Sequence, residues 1–328
     1  MKDLNLNPKL FDRDIEMEPI RKGFGLGLLE AGKSNKQVVG LCADLTESTY
    51  MFLFKKEFPE RFVEMGVAEQ NLVTVASGMA SMGKIPFVTS YAMFSPGRNW
   101  EQIRTTICYN DVPVKIAGSH AGISVGPDGG THQALEDIAL MRVIPRMIVI
   151  SPCDMEEARK ATIESAKTKT PVYIRLAREK TPVITTNKTP FEIGKAQIFF
   201  GEPDKSDVAL IATGSLVFRA LSVAKMLSEQ GINVCVVNLS TIKPLDEETI
   251  IRVAKGARAV VTVEEHQIAG GMGSAVAELL SQNFPVPQEY VGVRDMFGQS
   301  GTPEELIAHY GMDERGIRKA IEKVLKRK

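Results

Sequence analysis

The sequence predicts an α/β protein of two domains, each a mostly parallel sheet with helices on both faces. Short, nearly continuous apolar runs alternate with amphipathic stretches, the pattern of parallel strands buried on both faces and joined by crossover helices. The pattern breaks at TPVITTNKTP (181 to 190) and then starts again. The length, 328 residues, is about two average domains at roughly 150 residues each.

The first domain is expected over residues 1–180. Its strands are predicted at VVGLCA (38 to 43), IPFVTS (85 to 90), VPVKIAG (112 to 118), MIVIS (147 to 151) and PVYIRL (171 to 176). A further strand leading out of Phe62 feeds a turn and a helix from about Ala68, and helices are expected near Trp100, after Thr131 and from Met155. Residues 181–198 read as a linker, because two prolines and four threonines fall in ten residues with no helical period. The second domain, 199–328, has strands predicted at DVALIAT (207 to 213), INVCVVNL (232 to 239), AVVTVEE (259 to 265) and QEYVGVRD (288 to 295). Helices are expected through Leu227, from Asp246, from near Gly273, and twice more at the C-terminus.

Composition narrows the function. Lysine plus arginine and aspartate plus glutamate both number 40, so the overall charge points neither to nucleic acid nor to an anionic membrane. No apolar run approaches the ~20 residues of a membrane span. The N-terminal MKDLNLNPKLFDRDIEMEP carries acids and lacks the apolar core of a secretory signal, so the cytoplasm is the expected location. Cys42, Cys108, Cys153 and Cys235 stand far apart beside apolar residues. That spacing predicts buried structural thiols rather than a zinc or redox pair.

The chemistry-bearing stretch is FVEMGVAEQNLVTVASGMASMGKIPFVTSYAMF (62 to 94). Glu69 falls on the first turn of its helix, where an acid by itself reads as a favourable partner of the helix dipole. Tyr91 and Phe94 lie in the loop after a strand. A second stretch, SHAGISVGPDGGTHQALEDIALMRVIP (119 to 145), has His120 at a strand end and His132 just after a glycine-rich loop. Parallel-sheet enzymes place ligands there, outside the carboxyl ends of strands. Neither histidine has metal-ligand spacing, and Pro127-Asp128-Gly129 is in itself good turn chemistry. In EEHQIAGGMGSAVAELL (264 to 280) a glycine loop precedes a helix and could cradle phosphate, but tight-turn glycines are the expected reading and His266 is left outside the site.

Taken together and in order, these blocks closely resemble the transketolase and deoxyxylulose-phosphate synthase group of thiamine-diphosphate enzymes, from about Glu18 to the C-terminal helices. The resemblance implies a pyrimidine-binding domain followed by a transketolase C-terminal domain. It implies that Glu69 hydrogen-bonds the cofactor's aminopyrimidine and favours the imino tautomer that takes the thiazolium C2 proton. A largely apolar pocket flanked by Met65, Val67 and Leu72 is expected to keep that carboxyl neutral. Phe94 and Tyr91 match aromatics that line the aminopyrimidine site, and Asp44 matches an acid near the cofactor. His120 and His132 match substrate-contacting, catalytic histidines, and Asp128 matches an acid that bonds a substrate hydroxyl. Arg21 in IRKGFG, Ser48 in ADLTES and Arg178 in RLAREK match phosphate-site positions, where a planar guanidinium suits a phosphate.

The family's G-D-G run, which with a later Asn holds the diphosphate through a divalent metal, does not occur in this sequence. No metal ligand is therefore expected here, and Mg2+ or Ca2+ is expected to be held by a separate N-terminal transketolase subunit. An initiator methionine stands ~17 residues before the matched region, so a split pair of genes is expected rather than a truncation. The resemblance thus implies the C-terminal subunit of a split transketolase, transferring a two-carbon ketol unit between sugar phosphates as part of pentose phosphate metabolism. It also implies self-dimerisation and an α2β2 heterotetramer. Deoxyxylulose-phosphate synthase, the beta chain of 2-oxo-acid dehydrogenases and a non-catalytic relative remain alternatives. Glu69, His120, Asp128 and His132 together argue against the last, and Arg21, Ser48, His120 and Arg178 favour ketose phosphates.

Overall fold

The computed structural model describes residues 5–328. Strand β1 (Met17–Pro19) leads into helix Ile20–Ser34, and six parallel strands follow: β2 (Val38–Cys42), β3 (Phe62–Glu64), β4 (Ile85–Tyr91), β5 (Lys115–Ser119), β6 (Ile148–Ile150) and β7 (Val172–Arg175). Every residue of β2, β5 and β7 is buried, which is why these strands read as continuous apolar runs rather than alternating ones. Strand β8 (Lys180–Pro182) pairs antiparallel with β1.

The second sheet is built from β9 (Gln197–Phe200), β10 (Val208–Ala212), β11 (Val234–Asn238), β13 (Val260–Gln267) and β14 (Gln288–Val293), in the order β14-β13-β10-β11-β9 with only β9 antiparallel. Strand β12 (Thr241–Lys243) leaves this domain and joins the first sheet as an antiparallel edge, Thr241 opposite Ile150. The order of the first sheet is therefore β12-β6-β7-β5-β4-β2-β3. Lys243 reinforces the seam, its Nζ donating to the carbonyls of Arg142 at 2.9 Å and Ile144 at 2.5 Å. One apolar cluster runs across the junction, from Val39, Leu72 and Ile107 to Ile211, Val237 and Val253.

Helix Ile20–Ser34 lies against helix Met155–Lys167 at a distance only glycine permits. A Cβ on Gly23 would stand 1.9 Å from the Met155 carbonyl oxygen, and one on Gly27 2.5 Å from that of Arg159. The stretch expected to be a linker is tied down. It begins within β8, and Asp154, which caps helix Met155–Lys167 through Glu157 N, also accepts from Thr185 N and Thr185 Oγ1. Lys160 Nζ donates to the carbonyls of Thr186 and Thr189. The N-terminal segment crosses to the other domain, where Leu10 is buried in the core with Leu216 and Leu227. All four cysteines are buried thiols. Burial pushes Cys42 up to about 11, Cys108 and Cys235 up to about 12, and Cys153 well above its ordinary value, so the thiols stay protonated and unreactive. Among the described residues no helix is long and apolar enough to cross a membrane.

Candidate functional site

Because the strands are parallel and in register, their carboxyl ends line up. Cys42 stands opposite both Glu64 and Thr89, Tyr91 opposite Ser119, and Gly118 opposite Arg175. The segments that follow each strand therefore emerge along one edge, carrying Asp44, Glu69, Tyr91, His120 and Arg178. Glu64 shapes the first turn, its carboxylate accepting from Asp44 N at 2.7 Å, Thr46 Oγ1 at 2.9 Å and Gly66 N at 3.1 Å.

Glu69 is the first residue of helix Glu69–Ser81 and is 3% exposed. Ser90 Oγ donates to one carboxylate oxygen at 3.2 Å, and Arg98 Nη1 donates to the other at 3.1 Å. Asn99 Nδ2 holds the Glu69 backbone carbonyl at 2.9 Å. An open cavity of about 520 Å3 lies over the carboxylate, lined by Val67, Ala68, Glu69, Gln70, Asn71 and Arg98. The expected apolar surround is not what the chain builds: Leu72 is buried behind the helix, but Val67 is 70% exposed in the turn and the carboxylate's partners are a hydroxyl and a guanidinium.

Arg98 also lies over the Phe94 ring, 4.2 Å from its centroid, which joins Glu69 to a group of rings. Phe94 meets His132 edge-on at 5.4 Å, and Tyr91 stacks on His120 at 3.9 Å and on Phe94 at 6.3 Å. Ser119 Oγ bonds His120 Nδ1 at 2.9 Å, and Thr131 Oγ1 bonds His132 Nδ1 at 3.0 Å. His120 is 3% exposed. Burial, followed by the positive charges of Arg21, Arg178 and His132, lowers its pKa to about 3 and holds the imidazole neutral.

Beyond His120 the site is cationic. Arg21 sits on the first turn of helix Ile20–Ser34, its guanidinium 5.7 Å from the Tyr50 ring centroid. Its Nε and Nη1 are buried and have no hydrogen-bond partner among the described residues. Its pKa is lowered by burial and further by Arg178. Arg178 Nη1 donates to the Val125 carbonyl and to Glu179, both at 2.9 Å. Two guanidiniums and a neutral imidazole close enough to perturb one another make a surface that favours an anion.

The structure thus brings Glu69, Tyr91, Phe94, His120, His132, Arg21 and Arg178 into one connected group. Asp44 is exposed at the end of β2 in left-handed backbone (φ 57). Ser48 is half-buried two residues before Tyr50, and Asp128 is exposed at the tip of the loop between His120 and His132. Among the described residues none of the three makes a side-chain hydrogen bond or ion pair with that group. The glycine loop after β13 is closed to phosphate: the Glu264 carboxylate already accepts from Met272 N at 2.7 Å and Gly273 N at 2.8 Å at the start of helix Met272–Asn283. His266 is buried nearby, its Nδ1 against the Gln267 carbonyl at 2.7 Å.

Sequence reasoning did not single out Arg98, Ser90 or Tyr50. Arg98 had a signal, since it follows Phe94 by four residues in a loop already assigned to the site. Ser90 and Tyr50 had none, because their contacts are made only once the strand ends are aligned.

Comparison with known proteins agrees with this architecture. The description "Transketolase, pyrimidine binding domain" matches residues 17–183, and "Transketolase, C-terminal domain" matches residues 195–317. The chain is 45% identical over 311 residues to a "Putative transketolase C-terminal section" of Methanocaldococcus jannaschii, covering 94% of this chain and 96% of that protein. It is 39% identical to the "6-deoxy-6-sulfo-D-fructose transketolase subunit SqwH" of Clostridium sp. (strain MSTE9), covering 97% and 98%. A solved structure described as "Split gene transketolase, inactive beta4 tetramer" superposes with a TM-score of 0.87 at 44% identity, covering 94% of this chain and 98% of that one. Two matched domains spanning most of the sequence, and relatives of the same length, show that this chain belongs to the transketolase family, among its split, C-terminal-section members.

Proposed function

We propose that this chain is the cofactor-activating and substrate-binding half of a cytoplasmic two-subunit transketolase that moves a two-carbon ketol unit from a ketose to an aldose carrying an anionic tail. The observation that carries the reading is the arrangement along one sheet edge: a buried carboxylate under an open cavity, then aromatic and imidazole rings, then two arginines. The carboxylate and adjoining rings suit the aminopyrimidine half of thiamine diphosphate. That cofactor supplies, when bound, the electron sink needed to cleave a ketose beside its carbonyl.

Glu69 holds the aminopyrimidine and shares its proton, while Ser90 and Arg98 fix the carboxylate's position. Phe94 and Tyr91 line the ring and exclude water, and Asp44, at the end of β2, is assigned to the cofactor side of the same sheet edge. His120, neutral and locked by Ser119, and His132 contact substrate oxygens, and Asp128 accepts from a substrate hydroxyl. Arg21, Arg178 and Ser48 bind the anionic end. The G-D-G run with which the family holds the diphosphate through a metal does not occur in this sequence. The divalent cation, Mg2+ or Ca2+, and the diphosphate are therefore assigned to an N-terminal partner chain.

Two-fold symmetry closes such an assembly as α2β2 with two equivalent sites, and the related split-gene structure, a β4 tetramer, supports self-association of this half. The tail is phosphate or, as the name of the Clostridium relative suits, sulfonate; both match a pair of planar guanidiniums. The test is to mix the chain with its N-terminal partner, thiamine diphosphate and Mg2+, and assay ketol transfer from phosphorylated, sulfonated and uncharged ketoses while light scattering reports mass. Activity only in the 2:2 complex, with anionic donors preferred, is expected. Turnover by this chain alone, or no transfer by the complex from any ketose, overturns the reading.

A further inference from the structure

The loop between His120 and His132 is held from within, by turns such as Gly129 N to the Gly126 carbonyl at 3.1 Å, and from outside. Its backbone turns through left-handed glycines, Gly122 (φ 94), Gly126 (φ 78) and Gly129 (φ 74). Arg178 holds the Val125 carbonyl from its own domain, and a further hold comes from the second domain. Glu265, near the end of β13, is 2% exposed and reaches across the domain junction. One carboxylate oxygen accepts from Ser124 N at 2.6 Å, and the other accepts from Ser215 Oγ at 2.8 Å. The carboxylate also fills the space over Gly122, where a Cβ would stand 2.4 Å from it. The Glu265 carbonyl is itself fixed by Arg175 Nη2 at 2.8 Å.

A second clamp works beside it. Gln133 Nε2 donates to the carbonyls of Ile123 at 3.1 Å and Gly126 at 3.2 Å, both in the loop, and to that of Gln299 at 3.0 Å in the second domain. Gly298 lies so close that a Cβ there would meet Gln133 Oε1 at 1.7 Å. A buried, charge-assisted bond to a loop amide is one of the stronger single holds a protein makes. Removing its acceptor leaves a buried N–H without a partner.

We propose that Glu265 is a positioning residue: the second domain, through this carboxylate, sets the loop that presents His120, Asp128 and His132, and so sets the affinity for substrate. The proposal rests on the reading of that loop as the substrate contact.

Two substitutions separate positioning from bulk. Glu265→Ala removes both bonds. Glu265→Gln keeps both, because the amide oxygen can face Ser124 N while the amide nitrogen donates to Ser215 Oγ, a hydroxyl that accepts as well as donates. In the full chain, hydrogen exchange of peptides covering 119–134 is expected to speed by about tenfold or more in Glu265→Ala, with the strands of both sheets unchanged and Glu265→Gln close to wild type. In the active complex, Glu265→Ala is expected to raise KM for the anionic ketose about tenfold with kcat changed less than threefold, and Glu265→Gln to restore it. Unchanged exchange in Glu265→Ala overturns the proposal, as does faster exchange with unchanged KM when His132→Ala raises KM. If KM is unchanged in both His132→Ala and Glu265→Ala, the loop is not a substrate element and the proposed function fails with the inference. Should Glu265→Ala not fold, Ser215→Ala removes only the outer hold. A smaller shift in the same two readouts is then expected, and no shift overturns the proposal.

Discussion

Arg21 is held in a state that suits an anion better than it suits the empty chain. An unpaired buried donor costs about 1–3 kcal/mol, and Arg21 has two without a partner among the described residues, Nε and Nη1. The residue is only partly buried, so the lower end of the sum, about 2–3 kcal/mol, is the appropriate figure. Arg21→Met keeps the stem's packing and removes the cost. Unfolding entropy of about 2.1 cal/mol/K per residue over 328 residues gives about 0.7 kcal/mol/K, so Arg21→Met is expected to raise Tm of the chain alone by about 3–4 °C. Inorganic phosphate at ten times its Kd is expected to stabilise the wild type by about 1.4 kcal/mol, or about 2 °C, and to leave Arg21→Met unmoved. Differential scanning calorimetry of both proteins with and without phosphate, at constant ionic strength, makes the measurement. A variant that is less stable than wild type, or one that responds equally to phosphate, refutes the assignment of Arg21 to an anion site.

Two further outcomes follow from the same geometry. In the complex, Glu69→Gln is expected to slow hydrogen–deuterium exchange at the cofactor C2 by about a hundredfold or more, since an amide cannot share the proton; near-normal exchange read by NMR of quenched cofactor excludes that role. The His120 ring proton is expected not to titrate between pH 8 and 5, because its pKa lies at about 3, and Arg21→Met is expected to move the midpoint upward by removing a positive neighbour. As the folded pKa is below the unfolded value of about 6.5, the stability contributed by neutral His120 is complete above pH 6.5 and is lost as pH falls, at about 1.4 kcal/mol per pH unit. A midpoint near 6.5 in the folded chain contradicts the buried, cation-flanked setting.

Much of this was legible in the sequence because parallel strands are written locally. VVGLCA, IPFVTS and DVALIAT are runs whose burial needs no partner to be named, and the blocks around Glu69 and His120 each carry their family resemblance within one short stretch of sequence. What was not legible depends on distant pairings. Strand β12 is three residues long, and its partner β6 lies some 90 positions earlier. Glu265 reads as the tail of an apolar strand, while its partner Ser124 N is 141 residues away. The polar surround of Glu69 was missed for a similar reason. Val67, Leu72 and Glu69 are neighbours in sequence, but Leu72 faces inward from the helix while Val67 stays in the turn that precedes it. The space was left to Arg98, delivered by another loop.

The exchanged edge β12 has a consequence for dissecting the molecule. A fragment ending in the threonine-rich stretch that follows β8 would carry every candidate-site residue and yet leave the outer side of β6 with unpaired amides and carbonyls, a template for pairing with another chain. It would also uncover the apolar cluster that Ile211, Val237 and Val253 share with Leu72 and Ile107. Two sequence families meet at residues 183–195, but the hydrogen-bonded ladder and the core ignore that border, so the smallest piece able to keep a soluble sheet runs at least through Lys243 and, to close its own second sheet, through β14.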